Sequence, residues 1–201
     1  MLIDKKTYKV EEFNYYKTKI AKSQILIATS LRASNHHIIR LKHKDLGKNK
    51  KWPAYSISRH GVIFQHFESQ YHSDFTGIKD VDIKTISIVL ENMGALSRTN
   101  TGQYTNWLNE TCDPTNILNK KFVGFEYWEK FTEAQIESLS DLCQMLCDKH
   151  NIPKECIDFN HYNKEMIKYR GISFFSNYFE ESMDINPSFN IENFNEMLST
   201  D

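Results

Sequence analysis

The sequence predicts an α/β domain in which one central mixed β-sheet is flanked by helices. Residues 24–30 form a short continuous apolar run of the kind found in buried central strands. Residues 132–150 instead repeat their apolar side chains with the period of a long helix. Strand-like and helix-like segments are mixed along the chain, and this order favours a single sheet with helices packed on it.

Length and charge predict one domain that does not bind a partner through its overall charge. The chain has 201 residues, and 25 Lys and Arg against 26 Asp and Glu give a formal net charge of −1. This length suits a single domain over 1–201, with an N-terminal arm at 1–21 and the main body at 22–197. A nearly neutral chain does not bind nucleic acid or an anionic membrane through its overall charge, so neither is an expected partner.

Two further features concern the cellular compartment. The charged start of the chain has no apolar segment behind it, and no stretch approaches the roughly 18 apolar residues of a membrane span. We therefore expect no signal peptide. The four cysteines, at spacings that fit neither a CxxC pair nor a dense disulfide framework, are expected to be reduced and buried; they are Cys112, Cys143, Cys147 and Cys156.

After the first strand, a basic helix is predicted. Ser34 and Asn35 are residue types that cap a helix, and the apolar positions that follow are Ile38, Ile39, Leu41 and Leu46. Its other face carries Arg40, Lys42, Lys44 and Lys48. The cluster Lys48, Lys50 and Lys51 is interpreted as a solvated loop, because the chain as a whole is neutral.

The middle of the chain predicts a hairpin, a strand and an insertion. Residues 55–58 and 62–67 alternate in polarity around the turn Arg59-His60-Gly61, and residues 83–90 are rich in β-branched side chains. Residues 97–122 are interpreted as a polar, irregular insertion with Trp107 and Cys112 as anchors. The aromatic run from Phe122 to Phe131 is either a stacking platform for a sugar or peptide, or packing of this insertion.

The clearest helix begins at Thr132, where Thr132 and Gln135 have the spacing of a capping box. Its apolar stripe is Ile136, Leu139, Leu142, Cys143 and Leu146, and Pro153 follows its end. A late strand near 171–175 and a C-terminal helix from about residue 190 complete the prediction.

The order of these landmarks resembles the zinc-dependent N-acetylmuramoyl-L-alanine amidases, whose fold is shared with peptidoglycan recognition proteins. The resemblance covers roughly residues 22–197, and the insertion looks like that of phage-encoded members. It implies a zinc ion held by two His and one Cys or Asp. The zinc activates water to cleave the amide between muramic acid and its peptide.

The resemblance also implies where the zinc ligands stand, and two are replaced. Ala28 occupies the first ligand position, Phe175 the second, and Asp184 retains the third. The family's glutamate falls on Val89, its oxyanion-stabilising residue on Ser182, and its hairpin tyrosine on Pro53. Glu91, two places after Val89, keeps the same strand face.

We therefore predict a catalytically inactive, amidase-like phage protein with no catalytic residues, no bound metal and no cofactor. Its candidate binding groove consists of Thr29, Glu91, Phe175 and Asp184. The predicted partner is a peptidoglycan fragment or a virion protein, and the predicted location is the cytoplasm of an infected host or the virion.

Three alternatives remain open at this stage. An active amidase with displaced zinc ligands needs other histidines, with His66, His72 and His161 as candidates. The Glu91 and Asp184 carboxylates are a possible acid–base pair. A purely structural virion subunit is the third. The eight histidines, each interpreted as a solvated or structural residue, are His36, His37, His43, His60, His66, His72, His150 and His161; His150 is expected to place its charge at a helix C-terminus.

Overall fold

The structure is a computed structural model, which describes residues 2–158, 160–182 and 184–199. Its main sheet has six strands in the order β1-β4-β3-β5-β2-β11. These strands are β1 (Ile3–Asp4), β2 (Gln24–Thr29), β3 (Tyr55–Ile57), β4 (Ile63–Gln65), β5 (Thr85–Leu90) and β11 (Gly171–Phe174). All neighbouring pairs are parallel except the antiparallel hairpin β3–β4, so the predicted mixed sheet is confirmed.

Strand β2 lies at the centre of the apolar core. It pairs in parallel with β5 on one side and β11 on the other, and Ile25, Leu26 and Ile27 are completely buried. Because parallel strands place their carboxyl ends at the same edge of a sheet, the residues after β2, β5 and β11 come together there.

Four helices accompany the sheet: α1 (His36–His43), α2 (Lys79–Asp82), α3 (Glu133–His150) and α4 (Ile191–Ser199). The predicted capping box at the start of α3 is present, since the Thr132 side chain accepts from the Gln135 N–H and the Gln135 side chain accepts from the Thr132 N–H. The predicted stripe is buried apart from Ile136, which is half-buried. None of the helices among the described residues is long and apolar enough to cross a membrane.

The predicted irregular insertion is instead the larger part of a second sheet. Its antiparallel strands, in the order β8-β7-β6-β10-β9, are β6 (Ala95–Arg98), β7 (Tyr104–Thr105), β8 (Thr111–Cys112), β9 (Ile117–Phe122) and β10 (Phe125–Glu129). Trp128 is fully buried, with the Phe122 and Phe125 rings packed edge-on against it. Packing of the insertion is therefore the role of this part of the aromatic run.

The basic helix begins at His36 with Asn35 at its N-cap position, as predicted, but the prediction was wrong about its C-terminal end. Neither Ser34 nor Asn35 makes a capping hydrogen bond, and Ser34 has a positive φ of 44°. The helix ends at His43, and Leu46 is 93% exposed with a φ of 54°. A left-handed turn after α1 rotates Leu46 away from the core, which the helical period alone did not indicate. The four cysteines are reduced and buried, as predicted.

The N-terminal arm adds an edge to the main sheet. Strand β1 pairs in parallel with β4, and Tyr16 exchanges backbone hydrogen bonds with His72. Lys50, expected in a solvated loop, donates its ammonium to the carbonyls of Phe13 and Tyr15 at 2.6 and 3.2 Å. The arm is thus fixed to the body by backbone pairing and by one lysine.

The hairpin turn provides a stability prediction. A Cβ on Gly61 would lie 2.6 Å from the Ala134 carbonyl oxygen in the first turn of α3, and φ is +76°. Gly124 has a similar φ of +83° but nothing within 4 Å of its ideal Cβ. We expect Gly124→Ala to lower the free energy of unfolding by about 1 kcal/mol through backbone strain alone. Gly61→Ala should cost at least twice as much, roughly 2–4 kcal/mol, because a backbone oxygen must also move. Urea unfolding of both variants measures this, and equal losses would contradict the close packing of α3 on the turn.

Candidate functional site

A cavity of about 370 Å³ opens at the edge where β2, β5 and β11 end. It is lined by Ala28, Thr29, Ser30, Leu31, Arg32, His37, Arg40, Leu41, Lys44, Lys51, Pro53, Phe75, Val89, Phe175, Ser182 and Asp184. The strand ends form its floor and α1 with the loop before it forms one wall. Crevices of this kind are where ligands bind in open α/β sheets.

The structure brings together most of the positions singled out from the sequence. The cavity lining includes Ala28, Phe175 and Asp184, which the resemblance matches to the zinc ligands, and Thr29 from the candidate groove. It also includes the matched positions Pro53, Val89 and Ser182. Positions from five separate segments of the chain therefore share one site.

Glu91 does not line the cavity, so its assignment to the groove was wrong. Its carboxylate accepts from the Arg59 N–H at 3.2 Å, and its carbonyl accepts from the Gln135 side chain at 2.9 Å. These contacts tie the end of β5 to the hairpin turn and to the start of α3. Because Glu91 faces these elements and not the cavity, the structure does not support it as the acid–base partner of Asp184.

Asp184 is a buried carboxyl at the floor of the cavity. Its Oδ1 accepts from the Thr29 N–H at 2.7 Å, from the Thr29 hydroxyl and from the Ile185 N–H at 3.1 Å. Burial raises the pKa of Asp184 to about 7, although these donors act in the opposite direction. The hydrogen bonds attach the C-terminal segment to the end of β2.

Phe175 forms an aromatic wall beside Asp184. Its ring stacks on Phe179 with centroids 4.5 Å apart and meets the Phe75 ring edge-on at 6.0 Å. A phenyl ring offers no lone pair to a cation. This side of the cavity is therefore suited to apolar contact.

The residues present do not fit a catalytic zinc. Such a site needs three protein ligands. Among the described residues, the cavity lining holds two side chains of the His, Cys, Asp or Glu type, namely His37 and Asp184. Across the described ranges, no group of three such side chains is placed to hold a metal ion. The oxygen Oδ1 of Asp184 also already accepts from Thr29 and Ile185.

His37, interpreted from the sequence as an ordinary structural or solvated residue, is the unpartnered polar group of the cavity wall. It is 7% exposed, and neither ring nitrogen has a hydrogen-bond partner among the described residues. Burial lowers the pKa of His37 to about 3, and the nearby His66 and Arg32 act in the same direction. The Ser34 backbone opposes this shift but lies outside hydrogen-bond geometry. The imidazole of His37 is therefore neutral and buried in the cavity wall.

The other histidines considered as ligands have structural contacts of their own. His66 is fully buried between the Ser56 hydroxyl and the Tyr8 carbonyl, each 2.9 Å from a ring nitrogen, and burial lowers its pKa to about 4. His72 stacks on Tyr16. His150 is the last residue of α3, as predicted, and its Nε2 lies 2.8 Å from the Ser69 hydroxyl; burial lowers its pKa, which disfavours the charged form.

Four cations surround the cavity, and the sequence reasoning missed their convergence. They are Arg32, Arg40, Lys44 and Lys51. None of them takes part in an ion pair within the part of the chain that the structure describes. The near-neutral composition concealed this cluster, because an overall charge does not report how charges are distributed in space.

Comparison with known proteins identifies the architecture. A family model described as N-acetylmuramoyl-L-alanine amidase matches residues 24–168. No curated protein matches the sequence significantly. The structure is similar to the amidase LysC from Clostridium intestinale URNW, with a TM-score of 0.57 and 12% identity over 100% of this chain and 99% of that chain.

Two other solved structures have a comparable likeness. The catalytic domain of XlyA has a TM-score of 0.57 and 12% identity, with 99% of this chain and 100% of that chain covered. AmpDh3 from Pseudomonas aeruginosa, in complex with anhydromuramic pentapeptide, has a TM-score of 0.55 and 12% identity, with 98% and 66% covered. At these identities the likeness establishes the fold.

The buried carboxyl of Asp184 predicts a pH-dependent stability. Its folded-state pKa of about 7 lies above the ordinary value of 3.8 for an Asp side chain, so its favourable contribution is complete below about pH 4 and is lost as the pH rises through 7. Asp184→Asn stays neutral and keeps an acceptor for the Thr29 N–H. Relative to the wild type, we expect its free energy of unfolding to rise by up to about 4 kcal/mol between pH 4 and pH 8.

Urea unfolding at both pH values measures the difference. Asp141→Asn, at an exposed position of α3, is the matched control. A difference between Asp184→Asn and the wild type that does not change with pH would contradict the buried, neutral carboxyl.

Proposed function

The chain belongs to the N-acetylmuramoyl-L-alanine amidase family, and from this premise we propose that it binds a muramyl peptide in the cavity without hydrolysing it. One observation carries the proposal. Ala28 and Phe175, at the positions that the resemblance matches to two zinc-binding histidines, line the same cavity as Asp184. A methyl group and a phenyl ring supply no electron pair to a metal.

The remaining matched positions also lack the chemistry of hydrolysis. Val89 cannot accept or donate a proton, and Ser182 carries no charge with which to stabilise an oxyanion. In the proposed function, the protein therefore binds its ligand without zinc or another cofactor. The protein would thus have the fold of an amidase without its hydrolytic activity, because one fold can carry many different functions.

The cavity retains features that suit a peptide joined to a sugar. Peptide stems carry carboxylates, and the four unpaired cations of the wall offer complementary charge. The Phe175 ring, which stacks on Phe179, offers apolar contact on the side of the cavity next to Asp184. A muramyl peptide is bound in the structure of AmpDh3, which has the same fold.

We place the protein in a phage context, as the resemblance to phage-encoded members implies, in the infected cell or the virion. A structural virion subunit with no affinity for cell wall is the competing proposal. Co-sedimentation with insoluble peptidoglycan separates the two, because a purely structural subunit stays in the supernatant.

The absence of zinc chemistry is tested on the purified wild-type protein. After incubation with zinc and dialysis, we expect less than about 0.1 equivalent of bound metal by mass spectrometry, since a zinc site needs three convergent ligands. We also expect no release of stem peptide from muropeptides. Stoichiometric zinc or measurable hydrolysis would overturn the proposal in favour of an active amidase with displaced ligands.

Restoring the two imidazoles tests the matched positions directly. We expect the double variant Ala28→His, Phe175→His to bind about one zinc ion, because Asp184 then completes a His₂Asp set. The control Ala28→Leu, Phe175→Leu changes the same positions without adding ligands and should bind none. Failure of a folded histidine variant to bind zinc would show that these positions do not converge on one ion.

The cationic wall is tested by removing two of its charges. We expect Arg40→Ala, Lys44→Ala to weaken the binding of a muramyl tripeptide about tenfold, since exposed ion pairs contribute up to about 1 kcal/mol each. Titration calorimetry at two salt concentrations measures the loss. Lys120→Ala, Lys121→Ala removes two exposed charges from β9 and should leave the affinity unchanged.

A further inference from the structure

Trp107 is an exposed indole in a protein that buries its other tryptophans. Trp107 is 66% exposed, whereas Trp52 and Trp128 are 2% and 0% exposed. Covering an exposed indole with a partner is favourable, so this ring can serve as a contact surface. The position of Trp107 indicates what that partner is.

Trp107 lies at the rim of the cavity. Its Nε1 donates to the carbonyl oxygen of Leu31 at 3.1 Å, and the guanidinium carbon of Arg32 lies 5.4 Å from the centre of its ring. Leu31 and Arg32 both line the cavity. The second sheet thus places the Trp107 ring at the edge of a site that is otherwise formed by the main sheet and α1.

The loop that carries Trp107 is held in place before any ligand arrives. The Asn106 amide oxygen accepts from the N–H groups of Leu108 and Glu110, each at 3.0 Å. Glu110 in turn accepts from the Ala33 N–H at 2.8 Å and pairs with His36. These bonds join the loop at 106–110 to the segment between β2 and α1. An exposed ring that is already fixed loses little conformational entropy on binding.

We propose that Trp107 and Arg32 form a saccharide subsite that extends the cavity. The inference rests on the proposed function and assigns the two parts of a muramyl peptide to different places. The apolar face of the sugar ring packs on the exposed indole, and the Arg32 guanidinium donates to the sugar's oxygen atoms. The peptide then enters the cavity toward Arg40 and Lys44.

The hydrogen bonding of the indole favours a sugar over a purely polar ligand at this position. Because Nε1 is engaged by Leu31, Trp107 presents its ring surface and not a donor. A pyranose ring has both an apolar C–H face and peripheral oxygens, so it matches an aromatic surface with a guanidinium beside it. The rim and the cationic wall are therefore two chemically different ends of one site.

The experiment compares two ligands, a muramyl tripeptide and the free tripeptide of the same sequence. Among the three tryptophans, Trp107 is the exposed one, so tryptophan fluorescence reports on the rim. We expect the muramyl tripeptide, but not the free tripeptide, to change the wild-type emission. Trp107→Ala should weaken the muramyl tripeptide about tenfold or more by calorimetry and leave the free tripeptide unaffected.

Two further variants keep the result interpretable. Trp107→Phe retains a ring but loses the bond to Leu31, so it should bind the muramyl tripeptide more tightly than Trp107→Ala. Phe13→Ala removes a half-exposed aromatic outside the cavity lining and should change neither affinity. The pair Arg40→Ala, Lys44→Ala should weaken both ligands, because both carry the peptide.

The failures of the two proposals are distinguishable. If the wild type binds the muramyl tripeptide but Trp107→Ala binds it equally well, the saccharide subsite is overturned and the proposed function stands. If Trp107→Ala weakens both ligands equally, Trp107 only supports the rim and the subsite is again overturned. If the folded wild type binds neither ligand, the proposed function fails and the subsite fails with it.

Discussion

The parallel pairing of β2 with both of its neighbours is the constraint on which the rest of the structure depends. The consecutive residues Ile25 to Ile27 are fully buried, so both faces of β2 are covered and both must be apolar, as is typical inside a parallel sheet. The same pairing places the carboxyl ends of β2, β5 and β11 side by side. The cavity exists because these three ends meet at one edge.

A polar cluster closes this edge and joins the two sheets. Asp184 ties the C-terminal segment to Thr29 at the end of β2. Asn186, two residues later, donates to the Asn92 side chain at 3.0 Å and to the Glu129 carbonyl at 2.7 Å, and so reaches the second sheet. Glu129 itself is buried and pairs with Arg59 at 3.1 Å. Buried polar groups that satisfy one another in this way fix the geometry of a site more sharply than apolar packing does.

The distribution of charge, and not its sum, decides what the cavity suits. The chain is nearly neutral, yet Arg32, Arg40, Lys44 and Lys51 gather around one opening. The buried carboxyl of Asp184 offsets this field only partly, because burial raises its pKa to about 7. An anionic ligand gains from both effects. The family's fold is thus retained around a cavity lined by these cations and one buried carboxyl.

Elements with strong local signals could be predicted from the sequence. Three such elements are the β2 run, the hairpin turn at Gly61 and the capping box at Thr132. Each depends on residues that are close together in the chain, so a local sequence pattern is enough to predict it. The matched positions Ala28, Phe175 and Asp184 line one cavity, whereas Glu91 does not.

The contacts between segments that are distant in the chain became known from the tertiary structure alone. The second sheet is built mostly of short strands, and no local period in the sequence predicts how they pair. Leu46 turns outward because Asp45 and Leu46 are both left-handed. Trp107 contacts Leu31, which is so distant in the chain that no sequence spacing predicts the contact. Such contacts are set by the packing of whole elements, and for that reason the rim and the cationic wall became visible only in three dimensions.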